Sequence, residues 1–217
     1  MYFHFLVEDA STEALIHQLM KLILPTDNDH TYSCKSYHGL GGFRKNGDIK
    51  EQKTGKLLNE LLIALPGISK ALQKIPAVIV VVLDSDQRNP TEFQDRIEQT
   101  LKEKEILTDY VICLAVQEIE SWLLGDKQAI SVAYPQARLS LLDNYQADGP
   151  DANCMTLANI VYKGGWKKLQ KSCSAYAEIG KQKELWANTI GKHMNIEGNT
   201  SPSFNRFIEE INKRISA

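Results

Sequence analysis

No apolar run in this sequence approaches the roughly 18 residues that a bilayer span requires. The opening MYFHFLVEDA carries neither a basic leader nor a cleavage motif. Together these absences lead to the expectation of a soluble, cytoplasmic protein with no membrane partner. Cysteine is sparse as well: Cys34, Cys113, Cys154 and Cys173 lie far apart and make no CxxC or Cys/His pair at zinc spacing. That excludes a disulfide framework or a zinc module and leaves reduced structural thiols. Charge of neither sign dominates, with 25 Lys and Arg against 27 Asp and Glu. No global field therefore draws the chain onto a polyanion, and any nucleic-acid contact must come from a local patch. GxxxxGK[ST], GxGxxG and GxSxG are all missing, so no P-loop, dinucleotide fingerprint or nucleophile elbow is signalled. Neither an internal repeat nor a low-complexity tract occurs.

What is present is ordinary globular composition, 43% hydrophobic and 24% charged over 217 residues. That length suffices for one large domain, or for a core with a modest annex. The first half alternates β-rich runs with amphipathic helical patterns, the signature of a parallel sheet with crossover helices. Tyr2 to Val7 reads as a strand, followed by a helix with Leu15, Ile16, Leu19, Leu22 and Ile23 at helical spacing. Thr31 to Tyr37 is a weaker strand, and His38 to Asp48 is a glycine-rich loop. Leu57, Leu58, Leu61, Leu62 and Leu65 form a second helical stripe, expected to end at Pro66 and Gly67. Ala77 to Leu83 has no polar face, so it belongs at the sheet's centre, covered on both sides. Asn89, Pro90 and Glu92 read as the cap and first turn of the next helix, and Tyr110 to Val116 as a further strand. Beyond about Tyr134 the patterns are helical, ending with Ser201 to Ile215 and its stripe of Phe204, Phe207, Ile208, Ile211 and Ile215. The expectation is an α/β core over 1–135 and a helical annex over 136–217, packed as one unit.

The acids fall where chemistry would need them. Glu8 follows the first strand, Asp84 and Asp86 the central one, and Glu118 and Glu120 the next. In a parallel sheet those positions collect along one rim. Asp84 and Asp86, two apart in an extended chain, are expected to face the same side. Glu118 and Glu120 cannot share a face if their segment is helical. Two unit charges about 4 Å apart repel by roughly 4 kcal/mol at an effective dielectric near 20. Such a cluster takes up protons or holds a cation, and oxygen-only ligands favour Mg²⁺ or Mn²⁺. The plain alternative is that strand-end acids cap helices, and Asp9 and Ser11 do no more than start the first one.

Arg44 and Lys45 in the glycine-rich loop, and Arg88 beside the DxD, are placed to meet phosphate; pairing of Arg88 with Glu92 is the alternative. Lys163, Lys167 and Lys171, with Lys168, would give a helix a basic stripe beside Trp166. That stripe reads as a phosphate track or, more simply, as a solvated face. Trp122, Trp166 and Trp186 read as packing residues before base-stacking platforms.

This order of acids resembles the Toprim fold of topoisomerases, primases and OLD-type nucleases. The resemblance is carried by Glu8 in VEDASTE, Asp84 and Asp86 in VVVLDSDQ, and Glu118 and Glu120 in QEIESWLLGD. More closely, the chain is similar to an uncharacterised bacterial family of Toprim-like proteins, domain of unknown function 4276. That family has a VEGxTE-like opening, a DxD strand, an ExEAWLLxD-like segment and a C-terminal SPSFxxF helix. Glu8, Thr12, Glu13, Asp84, Asp86, Glu118, Glu120, Trp122 and Asp126 match, as do Ser201, Pro202, Ser203, Phe204 and Phe207. Asp9 departs, adding a charge where the family has a small residue. The resemblance implies a Toprim-like core and Mg²⁺- or Mn²⁺-dependent phosphodiester hydrolysis. Glu8, Asp84, Asp86 and Glu120 would be catalytic, and Glu8, Asp84, Asp86, Glu118 and Glu120 the metal ligands. In related nucleases a basic residue assists; none is assigned here. The nucleic acid would be the substrate and a separate ATPase subunit a partner. A second reading is a non-catalytic interaction or regulatory subunit of an ATPase-containing defence complex. A DxDx[TV] phosphatase is a third, from which Arg88 departs.

Overall fold

Seven consecutive apolar residues, five of them β-branched, place Ala77 to Leu83 at the centre of the molecule. In the computed structural model, which describes residues 1–24, 29–41, 56–150, 153–173 and 176–216, they form strand β3 (Ala77–Asp84), buried at every position. With β1 (Tyr2–Val7), β2 (Thr31–Ser36) and β4 (Asp109–Ala115) it makes a four-stranded sheet of order β2-β1-β3-β4. All pairings are parallel, with Val7 opposite both Ser36 and Val82, and Asp84 opposite Ala115. The four carboxyl ends therefore share one edge. The fold is the expected α/β arrangement of a parallel sheet flanked by helices.

Alternation along the strands sends side chains to two cores. Leu6, Ile79, Val81, Leu83, Ile112 and Leu114 pack against helices α2 (Leu57–Leu72) and α3 (Pro90–Leu101). Phe3, Phe5, Val7, Val78, Val80 and Val82 face the other way, onto α1 (Ala10–Ile23) and the C-terminal helices. These are α4 (Glu120–Leu124), α5 (Lys127–Ala133), α6 (Asn153–Val161), α7 (Gly165–Ser172), α8 (Tyr176–Gly191) and α9 (Pro202–Ile215). One continuous core joins the sheet to Trp122, Trp186, Phe204 and Phe207, all essentially without solvent contact. The Trp122 ring lies 4.9 Å from Phe207, tilted, and 5.6 Å from Phe204, edge-on. Among the described residues no strand follows β4, and no helix is long and apolar enough to cross a membrane.

Helix α2 corrects the sequence reading. It does not stop at Pro66 and Gly67 but runs through both to Leu72. An interior proline costs roughly 3 kcal/mol, and tertiary contacts offset it. Ser69, buried one turn later, accepts the N–H groups of Leu107 and Thr108 at 2.6 and 2.8 Å, and its carbonyl accepts the Thr108 hydroxyl at 2.8 Å. These bonds fix the second half of α2 to the chain entering β4. Helix α3 starts as expected, with the Asn89 side chain accepting from Thr91 and Glu92 N–H and Pro90 in the first turn.

The SPSF segment is a structural lock. Ser201 caps α9 by accepting the Phe204 N–H at 3.2 Å, and Ser203 Oγ accepts the Trp122 indole N–H at 2.9 Å. Asp148, at φ 57°, accepts from Ser201 Oγ at 2.8 Å and from Ser203 N–H at 2.6 Å. Asp126 plays a like part, accepting Ala129 N–H at 2.8 Å and Asn195 N–H at 2.7 Å. Replacing Asp148 with Ala removes the acceptor of three donors at the α9 terminus, Ser201 Oγ, Ser203 N–H and Ser203 Oγ, so Asp148→Ala should lose about 1–3 kcal/mol of stability. Urea unfolding with an unchanged m-value checks this; a variant as stable as the parent contradicts it.

Candidate functional site

The sheet's carboxyl edge is built by the turns that leave it. After β1, Glu8 is fixed through its carbonyl, which accepts the Gly39 N–H at 3.0 Å, and Asp9 caps α1. Asp9 Oδ1 accepts the Thr12 N–H and the hydroxyls of Ser11 and Thr12, so the extra charge is absorbed by the helix start. After β3 and β4 the two exits brace each other. Ser85 N–H donates to Ala115 O, Asp86 N–H to Gln117 O, and Gln117 N–H to Ser85 Oγ. Asp86 and Gln117 both take left-handed conformations, φ 49° and 61°. Each costs of order 1 kcal/mol or more for a residue with a Cβ, and such strain clusters at functional sites.

These turns gather four acids around one ammonium. Asp84, the last residue of β3, is 8% exposed, and its N–H donates to Glu8 Oε2 at 3.3 Å. Glu120, at the start of α4, is 1% exposed. Lys183 of α8 joins them, its Nζ 3.1 Å from Glu120 Oε2 and 3.6 Å from Glu118 Oε1. The Glu120 contact is an ion pair by distance but is not aligned as a hydrogen bond. The other oxygen of Glu118 accepts the Cys154 N–H in the first turn of α6, at 2.8 Å.

Electrostatics follow from burial and crowding. Burial pushes the Glu8 carboxyl up to about 7, helped by Asp9 and Asp86 and opposed by the Asp84 N–H and Lys183. Burial raises Asp84 well above the usual range, with Glu8 adding to it and Lys183 working against. Glu120 is raised by burial to about 7 despite Lys183. Burial would lower the Lys183 ammonium, but Glu120, Glu118 and Asp84 hold it well above its ordinary value. One ammonium cannot balance four carboxylates, so the site at neutral pH draws in protons or a further cation.

The structure therefore brings Glu8, Asp84, Glu118 and Glu120 together, and it revises three expectations. Asp84 and Asp86 do not point the same way, because the backbone leaves the extended conformation at Asp86. Asp86 is exposed and bonded to Arg88 Nη1 at 2.6 Å. Arg88 is thus paired with Asp86 rather than Glu92, and it lies 5.0 Å over the Phe93 ring. Glu118 and Glu120 do reach one cation together, because Glu118 precedes the helix instead of belonging to it. Arg44 and Lys45 lie outside the described residues. Lys183 was not singled out by the sequence reading. Its signal was there: it shares a helix face with Trp186, Ala187 and Ile190, and a lysine on an apolar face needs a buried partner.

Among the described residues no three His, Cys, Asp or Glu side chains stand at metal-binding spacing. A closed protein cage for a metal is therefore not formed. Mg²⁺, however, commonly uses one or two carboxylates and completes its shell with water and phosphate oxygens. Glu8 and Asp84, neighbours joined by the Asp84 N–H, with Glu8 helping to raise Asp84, fit that lesser demand.

A profile of a domain of unknown function, DUF4276, matches residues 7–212. No curated protein and no solved structure matches the chain.

The raised carboxyls fix the sign of the pH dependence. Between their ordinary value of 4.5 and about 7, Glu8 and Glu120 hold more protons in the folded than in the unfolded chain. Stability without metal should therefore fall as pH rises through that window, by about 1–3 kcal/mol per carboxyl. Lys183→Met, which strands Glu120, should cost about 3–5 kcal/mol at pH 8 and less at pH 5. Urea unfolding at both pH values checks this, and a flat profile for parent and variant contradicts it.

Proposed function

From the premise that the chain belongs to the DUF4276 family, we propose that it is a Mg²⁺- or Mn²⁺-dependent nuclease with a Toprim-like site, hydrolysing phosphodiesters. One observation carries the reading: acids from three separate strand ends, Glu8, Asp84 and Glu120, stand around a single buried lysine. Ligand crevices of open parallel sheets lie at this edge. The order of acids along the chain is the one the Toprim resemblance rests on, and Lys183 supplies the basic residue that resemblance implies.

Glu8 and Asp84 would hold the ion, which when bound neutralises phosphate charge and lowers the pKa of its water. The chain's own groups do the rest. Asp84 N–H holds Glu8 Oε2, which leaves Oε1 for the ion. The proton that Glu8 carries without metal, its carboxyl being raised to about 7, leaves as the ion enters. Glu120 and Glu118 fix the Lys183 ammonium, which stabilises negative charge growing on the phosphoryl oxygens. Glu120 is a positioning residue, since its access to substrate is blocked by burial.

A second reading also has an observation behind it. Lys183 already pairs with two of the acids, and Asp84 and Glu120 are almost closed to solvent. A cluster neutralised by its own lysine and by bound protons suits a non-catalytic subunit that works with a separate ATPase, as no ATP-binding motif lies in this chain.

With Mg²⁺ or Mn²⁺ the parent should cut plasmid DNA or an RNA or DNA oligonucleotide. Asp84→Asn and Lys183→Met should each slow cleavage by about 100-fold or more, with circular dichroism confirming the fold. No cleavage of any of these, or full activity in Asp84→Asn, rejects the nuclease. Co-purification with an ATPase in that case supports the second reading.

A further inference from the structure

Beside the acid cluster lies a cavity of about 310 Å³ with a mixed lining. Trp166, Met155 and Ile179 are its large apolar residues; Asp86, Gln117, Glu118 and Lys183 are polar or charged. It thus opens directly onto the ammonium that the acids hold. Its volume sits at the low end of small-ligand sites, about 300–1,000 Å³. That is room for one heterocycle with its sugar and none for a base pair. The hydrolytic site shares Glu118 and Lys183 with this lining and leaves Trp166, Met155 and Ile179 without a role.

Trp166 is placed by backbone rather than by chance. Gly164 and Gly165 both adopt positive φ, 96° and 68°, and a Cβ on Gly165 would come within 2.7 Å of Asn159 Oδ1. That same oxygen accepts the Trp166 N–H at 2.9 Å. The KGGW turn therefore fixes where α7 begins and with it the indole. Trp122 and Trp186 are sealed in the core, at 0% and 1% exposure, while Trp166 is only partly covered. On the same short helix Lys167, Lys168 and Lys171 are exposed, with Lys163 just before it.

We infer that this cavity receives one unpaired nucleobase, stacked on Trp166, and that the substrate is single-stranded nucleic acid whose backbone follows the lysines of α7 toward Lys183. The inference rests on the nuclease reading and names its substrate class. Each component answers a distinct part of a single strand. An aromatic face stacks any base, and a lysine track takes the phosphates without regard to sequence. Glu118 and Gln117, both on the lining, carry side-chain oxygens that can accept from the exocyclic amines of an extruded base. A duplex would first have to unpair and unstack a nucleotide, which a free strand does at little cost.

The test uses the full chain in EDTA, so that binding is read without cleavage, and a 12-nucleotide strand against the same sequence as duplex. The single strand should quench tryptophan emission and bind at least tenfold tighter by anisotropy. Trp166→Ala should abolish the quenching and weaken binding roughly tenfold or more, whereas Trp166→Phe keeps most of the affinity. Should Trp166→Ala fail to fold, Lys167→Glu with Lys171→Glu on the exposed face should weaken binding and flatten its salt dependence. Equal affinity for duplex, or affinity unchanged in all these variants, overturns the inference. Quenching and tight single-strand binding without cleavage on adding Mg²⁺ keeps the base pocket and removes the nuclease. Cleavage of duplex with no quenching does the reverse.

Discussion

The Lys183 ammonium is the charge on which the carboxyl edge of the sheet depends. It is delivered by a helix from the far end of the chain into a space lined by acids from strands one, three and four. Without it, Glu120 would be a buried carboxylate with no cation beside it, and Asp84 would face Glu8 unrelieved. The pair is not an efficient way to hold α8 in place, because apolar residues of similar volume usually pack at least as well as a buried ion pair. Helix α8 already buries Trp186, Ala187 and Ile190 in the core shared with α1. The charges therefore exceed what packing demands.

The sheet turns that electrostatic problem into a geometric one. Parallel pairing puts four strand ends on one edge, and a register that aligns Val7 with Val82 sets Glu8 beside the end of β3. The left-handed turns at Asp86 and Gln117 then lead the chain away while their backbone groups bond to each other. Backbone strain is accepted where the acids are displayed, and long apolar runs on both sheet faces outweigh it.

Much of this was legible in the residues. The continuous run of Ala77 to Leu83 has one reading, a buried strand, and the strand-end positions of Glu8, Asp84, Glu118 and Glu120 follow once the sheet is parallel. Other features depend on contacts that sequence spacing does not encode. Pro66 looks like a terminus because the partners of Ser69 lie some 38 residues away. Asp86 looks extended because a left-handed aspartate is signalled by no neighbour. Lys183 needed the converse argument, that a lysine on an apolar helix face implies an acid elsewhere. Trp166 reads as packing until the two glycines before it are seen to aim it at the acids' cavity.

If burial and neighbouring acids raise Glu8 and Asp84, a dication entering the site must displace protons. The most direct measurement is Mn²⁺ titration by calorimetry at pH 7 in two buffers of different ionisation enthalpy. One ion should bind per chain with a buffer-dependent heat that reports proton release, and the signal should vanish in Glu8→Gln with Asp84→Asn. Absence of any heat, or an unchanged isotherm in that double variant, would show that Lys183 and bound protons balance the acids without a dication.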